Sequence, residues 1–214
     1  PWGNQVGLVY WKDVLKIGPF IYDTTNKKIV KYVGTTTNAD VDIPNELEKD
    51  GVKYPVEGIL SYAFYGADIA SVNIPSSVEN IDRNAFEGVK NPIDITFSTN
   101  SKLKTITNRA FSNSKIKSIE LPKTIENIDD TAFEYTDIKR IAIPDSVKSI
   151  GSGAFQGSNL ENITFGDNSK LEEIRGWAFD NAPLKAIILP DTVKHIGNYA
   201  FRNTKLKTIT IPKS

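Results

Sequence analysis

Few side chains in this sequence have the type and spacing that catalysis or metal binding requires. His195 is the single histidine among 214 residues, and there is no cysteine. The missing cysteine excludes a disulfide framework and a thiolate metal site, and one histidine has no Ser and Asp placed to complete a catalytic set. Carboxylates are paired at Asp129-Asp130 and Glu172-Glu173, with Asp167 nearby. Such pairs can act as acid and base or bind calcium.

The surroundings of these residues argue against a catalytic or metal site. No EF-hand spacing encloses the acid pairs, and the sequence has neither a phosphate-binding glycine loop nor a nucleophile elbow. His195 occupies a repeat position that elsewhere holds Asn80, Thr105, Asn127, Ser149 and Glu173. We therefore interpret His195 as a surface residue and the acid pairs as part of a solvated face. We predict a protein that is not an enzyme and expect no cofactor and no metal ion.

Charge and hydropathy exclude several classes of partner. Lys+Arg and Asp+Glu both number 26, which gives a formal net charge of zero. A general binder of nucleic acid or anionic membrane needs a basic excess. No apolar run reaches the length of a transmembrane helix, and no signal peptide is visible. We therefore expect no nucleic-acid partner, no membrane insertion of this segment and a monomer.

An Ala-Phe pair that recurs seven times organises the chain. Ile stands five residues before each Phe and another aliphatic residue eight before it, as Ile150 and Val147 do for Phe155. A period of 22 to 25 residues is typical of stacked repeats, in which each unit buries the apolar face of the next. The seven rings are then expected to form a continuous spine: Phe64, Phe86, Phe111, Phe133, Phe155, Phe179 and Phe201.

Each repeat contains two patterned segments. Ile-x-Ile followed by Pro, as at Ile141, Ile143 and Pro144, predicts a short strand that ends where Pro cannot donate a hydrogen bond. Val-x-x-Ile-x-x-x-Ala-Phe has spacings of three and four, which predict a short helical turn. Gly or Asn two residues after the Phe, with Tyr135 as the exception, is expected to end that turn in a left-handed conformation. Ser or Thr two residues after the Pro suits its start: Ser77, Thr124, Ser146 and Thr192.

The two ends of the chain differ from the repeats. Residues 20–22 and 28–33 flank Thr24-Thr25-Asn26-Lys27, which predicts a β-hairpin. We assign residues 1–39 to an N-terminal segment and hairpin that cap the solenoid of residues 40–214. Trp2 and Trp11 precede the hairpin in a stretch for which the sequence predicts no structure. The sequence begins at Pro1 and stops in mid-repeat, so we expect the natural protein to be longer.

The runs at residues 143–155 and 189–201, Ile/Leu-Pro-x-x-Val-x-x-Ile-x-x-x-Ala-Phe, resemble the BspA-like leucine-rich repeats found in surface proteins of bacteria and some protists. The resemblance covers roughly residues 40–214. It implies a right-handed leucine-rich-repeat superhelix, an α/β solenoid with a concave parallel sheet and short helical turns on the convex side. It also implies a secreted or cell-surface location and adhesion to a host protein, with extracellular-matrix and plasma proteins as candidates. Pro in place of the buried Asn after the strand is a departure from the more familiar leucine-rich repeats.

The candidate partner-binding residues lie on two faces. Outward strand positions form the expected concave surface, with Arg140 at its centre, the lysines Lys117, Lys139 and Lys185 beside it, and Glu120 and Ile188 on the strands. The lysines either steer an acidic partner or serve solubility alone. Trp177 and Tyr199, expected on the helical side, define a competing site. The alternative is that both rings lie flat over neighbouring side chains and bind nothing. A rigid spacer that presents another domain, without a ligand of its own, is the alternative function, and a carbohydrate-binding module is a third.

Overall fold

The computed structural model describes residues 13–211, which contain 18 β-strands and no α-helix. Trp2, Trp11 and the prediction for the first twelve residues lie outside this range. The strands are β1 (Val14–Ile17), β2 (Phe20–Asp23), β3 (Lys28–Tyr32), β4 (Ala39–Asp42), β5 (Glu46–Lys49), β6 (Val52–Pro55), β7 (Gly58–Ile59), β8 (Ile69–Ile74), β9 (Asn80–Ile81), β10 (Ile93–Phe97), β11 (Thr105–Ile106), β12 (Ile116–Ile119), β13 (Asn127–Ile128), β14 (Arg140–Ile143), β15 (Ser149–Ile150), β16 (Asn162–Phe165), β17 (Glu173–Ile174) and β18 (His195–Ile196).

The Ile-x-Ile segments form the predicted parallel strands, in two separate parts. β4, β8, β10 and β12 pair side by side, and β14 pairs with β16 in a second part. Beyond β16, within the residues up to 211, the pairing is reduced to one bridge between Asn162 and Ala186. Isoleucines alternate inward because successive side chains on a strand point to opposite faces, so Ile141 and Ile143 are buried while Arg140 and Ala142 are exposed.

A second parallel sheet lies where the sequence predicts helical turns. Each Ile five residues before the Phe belongs to a strand of only two residues, and β11, β13, β15, β17 and β18 pair in that order. Ile128 of β13, for example, is aligned with Ile106 on one side and Ile150 on the other. The core is therefore enclosed by two sheets, and the repeats are joined by backbone hydrogen bonds along both of them.

The prediction of short helical turns is wrong, and the backbone explains why. Gly153 and Gly157, two residues before and two after Phe155, both have left-handed φ angles, of 60° and 63°. A helix needs right-handed angles throughout. The backbone N–H groups of Phe155 and Gly157 also donate outside their own turn, each at 2.8 Å, to the carbonyls of Ala178 and Asp180 in the next repeat. Each turn thus alternates short internal hydrogen bonds, such as that from Gln156 N–H to the Gly153 carbonyl at 3.0 Å, with hydrogen bonds to the next repeat, and it does not continue as a helix.

Three of the four hydroxyls after the Pro have a different role from the predicted one, and the Oγ of the fourth, Ser77, is buried without a hydrogen-bond partner within residues 13–211. Thr124 donates its hydroxyl to the carbonyl of Leu103 at 2.7 Å, and Ser146 donates to the carbonyl of Ile125 at 2.6 Å. Both acceptors belong to the preceding repeat. These hydroxyls therefore tie successive repeats together, because there is no helix start for them to cap.

The phenylalanine spine is present as predicted. Consecutive rings stack with centroids 4.7 to 5.5 Å apart and interplanar angles of 4° to 23°. The first six rings are at most 1% exposed, whereas Phe201 is only partly buried. Burying a large apolar side chain contributes about 1.5–3 kcal/mol, so the spine is a large part of what holds the repeats together.

The hairpin β2–β3 joins the first repeat directly. β3 is antiparallel to β2 and parallel to β7, with Ile29 aligned with Ile59. The ring of Tyr32 stacks on Phe64 at 5.4 Å, which continues the spine beyond the repeats. A further hairpin, β5–β6, is formed by the insertion before the first Ala-Phe pair. The β2–β3 hairpin therefore covers the first repeat. The boundary at residue 39 between this N-terminal segment and the solenoid stays a prediction.

Close approach of the repeats makes Gly151 a sensitive position. A Cβ atom at Gly151 would lie 2.5 Å from the backbone nitrogen of Asp130 and 2.8 Å from the carbonyl oxygen of Asp129. We expect Gly151→Ala to lower the free energy of unfolding by about 1–3 kcal/mol, because backbone cannot move aside as a side chain can. Gly66→Asn is the control, since nothing lies within 4 Å of its Cβ position. Equal denaturant midpoints for the two variants would contradict this packing.

Candidate binding surfaces

The outward side chains of β4, β8, β10, β12, β14 and β16, with the equivalent residues after β16, form what we call the strand face. Its first strands are acidic: Asp40 accepts a hydrogen bond from Ser71 at 2.6 Å, and Asp42 accepts one from Asn73 at 2.8 Å. Its later strands carry exposed cations, which we call the basic band: Lys117, Lys139, Arg140, Lys185 and Lys207. Although the whole chain has a net charge of zero, its acidic and basic side chains are therefore unevenly distributed along this face.

Members of the basic band differ in how far they are neutralised. Arg140 begins β14 opposite Asn162, and within residues 13–211 Arg140, Lys117 and Lys139 make no hydrogen bond or salt bridge through their side chains. Lys185 instead donates to Glu161 and lowers the pKa of that carboxyl below its usual value. The positive charge of Lys139 also helps to lower the pKa of Glu161, so Glu161 partly offsets both Lys185 and Lys139, whereas Arg140 and Lys117 have no such partner within residues 13–211.

Apolar surface lies beside the basic band. Ile188 is 86% exposed. A recess of about 450 Å³ is lined by residues that precede it in the chain and by residues of the next repeat: Lys185, Ala186, Ile187, Lys205, Lys207 and Thr208. Glu120, which follows β12, is exposed as well. The predicted residues Arg140, Lys117, Lys139, Lys185, Glu120 and Ile188 are all exposed on or beside the strands of this face, and among them only Lys185 lines the recess.

Trp177 and Tyr199 lie together on the opposite side, which we call the turn side. Their rings stack with centroids 5.8 Å apart and 26° between planes, and they are 41% and 59% exposed. Arg202 lies over the Tyr199 ring at 5.4 Å and donates from Nε and Nη2 to the two carboxylate oxygens of Asp180, each at 2.8 Å. That fork of hydrogen bonds holds the pKa of the buried Asp180 carboxyl below its usual value.

Further exposed aromatics on the turn side are not among the sequence-predicted site residues. Tyr62 and Tyr65 meet edge to face at 5.8 Å, and Tyr135 is 56% exposed. Tyr135 has a left-handed φ of 54° at the position where the other repeats carry Gly or Asn. That exception to the repeat is the signal by which the sequence could have marked it as a site residue.

The residues considered for catalysis or metal binding do not converge. His195 is exposed on β18, and Glu172 forms a salt bridge with Lys194 at 2.9 Å. Burial raises the pKa of the Asp129 carboxyl, and the charge of Asp130 adds to that rise. Among the residues described, no group of three or more His, Cys, Asp or Glu is arranged to hold a metal ion. No helix in residues 13–211 is long and apolar enough to cross a membrane.

Several solved structures resemble this fold. A leucine-rich cell surface protein from Faecalibacterium prausnitzii is 28% identical with a TM-score of 0.75, over 92% of this chain and 54% of that one. A leucine-rich repeat protein from Bacteroides ovatus is 26% identical with a TM-score of 0.64, over 94% and 58%. The pneumococcal vaccine antigen PcpA is 26% identical with a TM-score of 0.56, over 94% and 47%. This chain thus spans about half the length of these proteins.

The sequence of the repeat matches the model of a known family, whereas no curated protein sequence matches the chain. The model of the BspA-type leucine-rich repeat region matches in six copies, over residues 57–182 and 126–214. These ranges cover most of the chain and include all seven rings of the phenylalanine spine and the strands from β7 onward. The chain belongs to the BspA-type leucine-rich repeat family.

Proposed function

We propose that this chain is a protein-binding module of a secreted or cell-surface protein, and that it binds an acidic partner through the basic band. The observation that carries the proposal is the set of exposed, unpaired cations around Arg140, on a face whose other end is acidic. Membership of a family with a cell surface protein among its structural relatives supports the location. A host extracellular-matrix or plasma protein is the partner class we favour.

Arg140 is the residue we expect to contribute most to affinity. Arg is enriched among residues that dominate binding energy, and central positions that lose their water on binding contribute most. Arg140 follows Lys139 directly and shares β14 with the exposed Ala142, which is aligned with Thr164 of β16, so charge and apolar surface are close together there. The lysines at the edge should mainly raise the association rate, because exposed charges act at long range and are screened by salt.

The first measurement is binding of the purified chain to a panel of extracellular-matrix and plasma proteins, followed by affinities of variants at two salt concentrations. We expect Arg140→Ala to weaken binding at least about tenfold. Lys117→Ala and Lys139→Ala should slow association, with less effect at high salt. Arg83→Ala is the matched control, because Arg83 is also exposed but lies beside β9 in the other sheet.

The outcomes separate the proposal from its rivals. A large loss for Trp177→Ala with none for Arg140→Ala would transfer the binding site to the turn side. No loss for either variant, or no partner in the panel, would favour the rigid spacer. If Arg83→Ala weakened binding as much as Arg140→Ala, the loss of affinity would come from the change in overall charge and not from a site at Arg140.

A further inference from the structure

Acidic side chains at the start of the strand face keep their negative charge. Asp40 and Asp42 on β4 and Asp94 on β10 are all exposed, and within the described residues none of them forms a salt bridge. Asp40 and Asp42 accept hydrogen bonds only from the neutral side chains of Ser71 and Asn73. We call these three acids the acidic strip.

The other end of the strand face has the opposite charge. Arg140 on β14 is exposed and has no ionic partner in the part of the chain that the structure describes. Further along, Lys185, Lys205 and Lys207 line the recess, and Glu161 forms a salt bridge with the first of them. Three lysines with one paired acid leave this end positive. The strand face is therefore divided into an acidic and a basic half.

The two halves are arranged evenly about β12. β10 comes directly before β12 and β14 directly after it, and Asp94 and Arg140 occupy the same position on their strands, each preceding a buried Ile. β4 lies three strands before β12, beyond β8 and β10. Lys185 begins the third strand segment after β12, beyond β14 and β16. Each acid thus has a cation at the same distance from β12 on the other side.

A half-turn about an axis along β12 places unlike charges opposite each other. It turns the strand face of a second copy toward the first, keeps the strand direction and reverses the order of the strands. Asp94 of each copy then faces Arg140 of the other, and the acids of β4 face Lys185. β12 faces its own copy and carries one charge of each sign, Lys117 and Glu120. In a dimer with this symmetry every other contact occurs twice.

Glu161 makes neighbouring registers less favourable. A shift of the axis to one side of β12 brings Glu161 opposite Asp94, and a shift to the other side brings it opposite Asp40 and Asp42. With the axis on β12, Glu161 and its strand β16 instead face β8, whose outward residues Ser71 and Asn73 are neutral. Like charges placed across an interface oppose binding, so the position of this one acid favours a single register.

We propose that this chain binds a second copy of itself through the strand face, as a two-fold symmetric dimer with two Asp94–Arg140 ion pairs. A net charge of zero adds no overall repulsion to oppose association. The expectation of a monomer from net charge does not take the separation of the charges along this face into account.

The size of the face predicts a weak, charge-dependent dimer. The strand positions from β4 to residues 185–189 are spaced about 4.7–4.9 Å apart and each is about four residues long, so the face measures about 29 Å by 13 Å. That is about 400 Å² for each copy, whereas stable interfaces bury about 800 Å² for each partner. Because charge must supply much of the attraction, salt should dissociate the dimer.

Self-association also covers the basic band. Arg140 faces the second copy in the dimer, so a partner that binds the basic band would have to displace that copy. Asp94→Lys prevents self-association and leaves every cation of the basic band in place, so it should not lower the affinity for such a partner. The dimer itself does not depend on the proposed partner, because it is measured with the chain alone.

Sedimentation equilibrium of the purified chain at two salt concentrations is the first measurement. We expect a monomer–dimer equilibrium that weakens at least about tenfold between about 0.05 M and 0.5 M salt. Arg140→Glu and Asp94→Lys should each weaken it at least about tenfold, because each substitution places two pairs of like charges across the interface. Both residues are exposed and unpaired, so both variants should fold with unchanged melting midpoints.

Mixing the two variants tests the pairing directly. In a dimer of one Arg140→Glu chain with one Asp94→Lys chain, both contacts join unlike charges again, so an equimolar mixture should regain the dimer that each variant alone has lost. Arg83→Glu is the control for overall charge, because Arg83 is exposed beside β9 in the other sheet, and it should leave the equilibrium unchanged.

Four results would overturn the proposal. They are a monomer at both salt concentrations, association that strengthens with salt, association unaffected by Arg140→Glu and Asp94→Lys, and a mixture of these variants that stays monomeric. Association that strengthens with salt would indicate apolar contact, such as through the exposed Ile188, in place of ion pairs.

Discussion

Phe155→Ala is expected to lower the free energy of unfolding by about 3–5 kcal/mol. Phe155 is fully buried and stacked between Phe133 at 5.2 Å and Phe179 at 5.5 Å. Removing its ring leaves a cavity in the middle of the spine, and neighbours that are hydrogen-bonded between repeats on both sides cannot collapse into it. Linear extrapolation of urea unfolding, monitored by circular dichroism, measures the change.

Phe201→Ala is the matched control for that experiment. The Phe201 ring stacks on Phe179 at 5.3 Å but is only partly buried, and no further ring lies beyond it in the described range. The Phe201 ring buries less apolar surface on folding than the Phe155 ring does, so we expect Phe201→Ala to lower the free energy of unfolding clearly less. Equal losses at the two positions would mean that the rings do not act as one continuous core.

Deletion of residues 1–39 is expected to be at least as damaging, with aggregation or a large fall in the melting midpoint. It removes β1, β2 and β3, and with them the parallel pairing that aligns Ile29 with Ile59. It also uncovers Phe64, on which Tyr32 stacks. Terminal units of a solenoid keep the apolar end of the first repeat from water, and an unpaired strand edge promotes association between molecules.

A graded variant shows whether the ring or the strand provides this protection. Tyr32→Ala removes the stacked ring and leaves the pairing of β3 with β7 in place, so it should cost less than the deletion and keep the protein soluble. Light scattering and thermal melts report both effects. A truncated chain that stays monomeric with an unchanged melting midpoint would remove the capping role from the hairpin.

The basic band on the strand face has exposed charges and shallow apolar surface around Ile188, which suits a broad protein interface.

Local sequence determined the repeat, its strands and its core. The Ala-Phe period predicts the spine, the Ile-x-Ile-Pro segments predict the parallel strands, and residues 20–33 predict the hairpin, all of which are present. These features depend on which side chains are apolar and how they alternate, and that information is contained within a few neighbouring residues.

Only the tertiary structure decided what connects one repeat to the next. Spacings of three and four favour a helix, but the backbone N–H of Phe155 finds its acceptor in Ala178, more than twenty residues away, and two left-handed residues in each turn prevent a helix from forming. The same holds for the sites. The pairing of Lys185 with Glu161 depends on which repeats lie side by side. Hydrogen bonds, ion pairs and gaps between repeats are set by stacking, which the order of residues within one repeat does not specify.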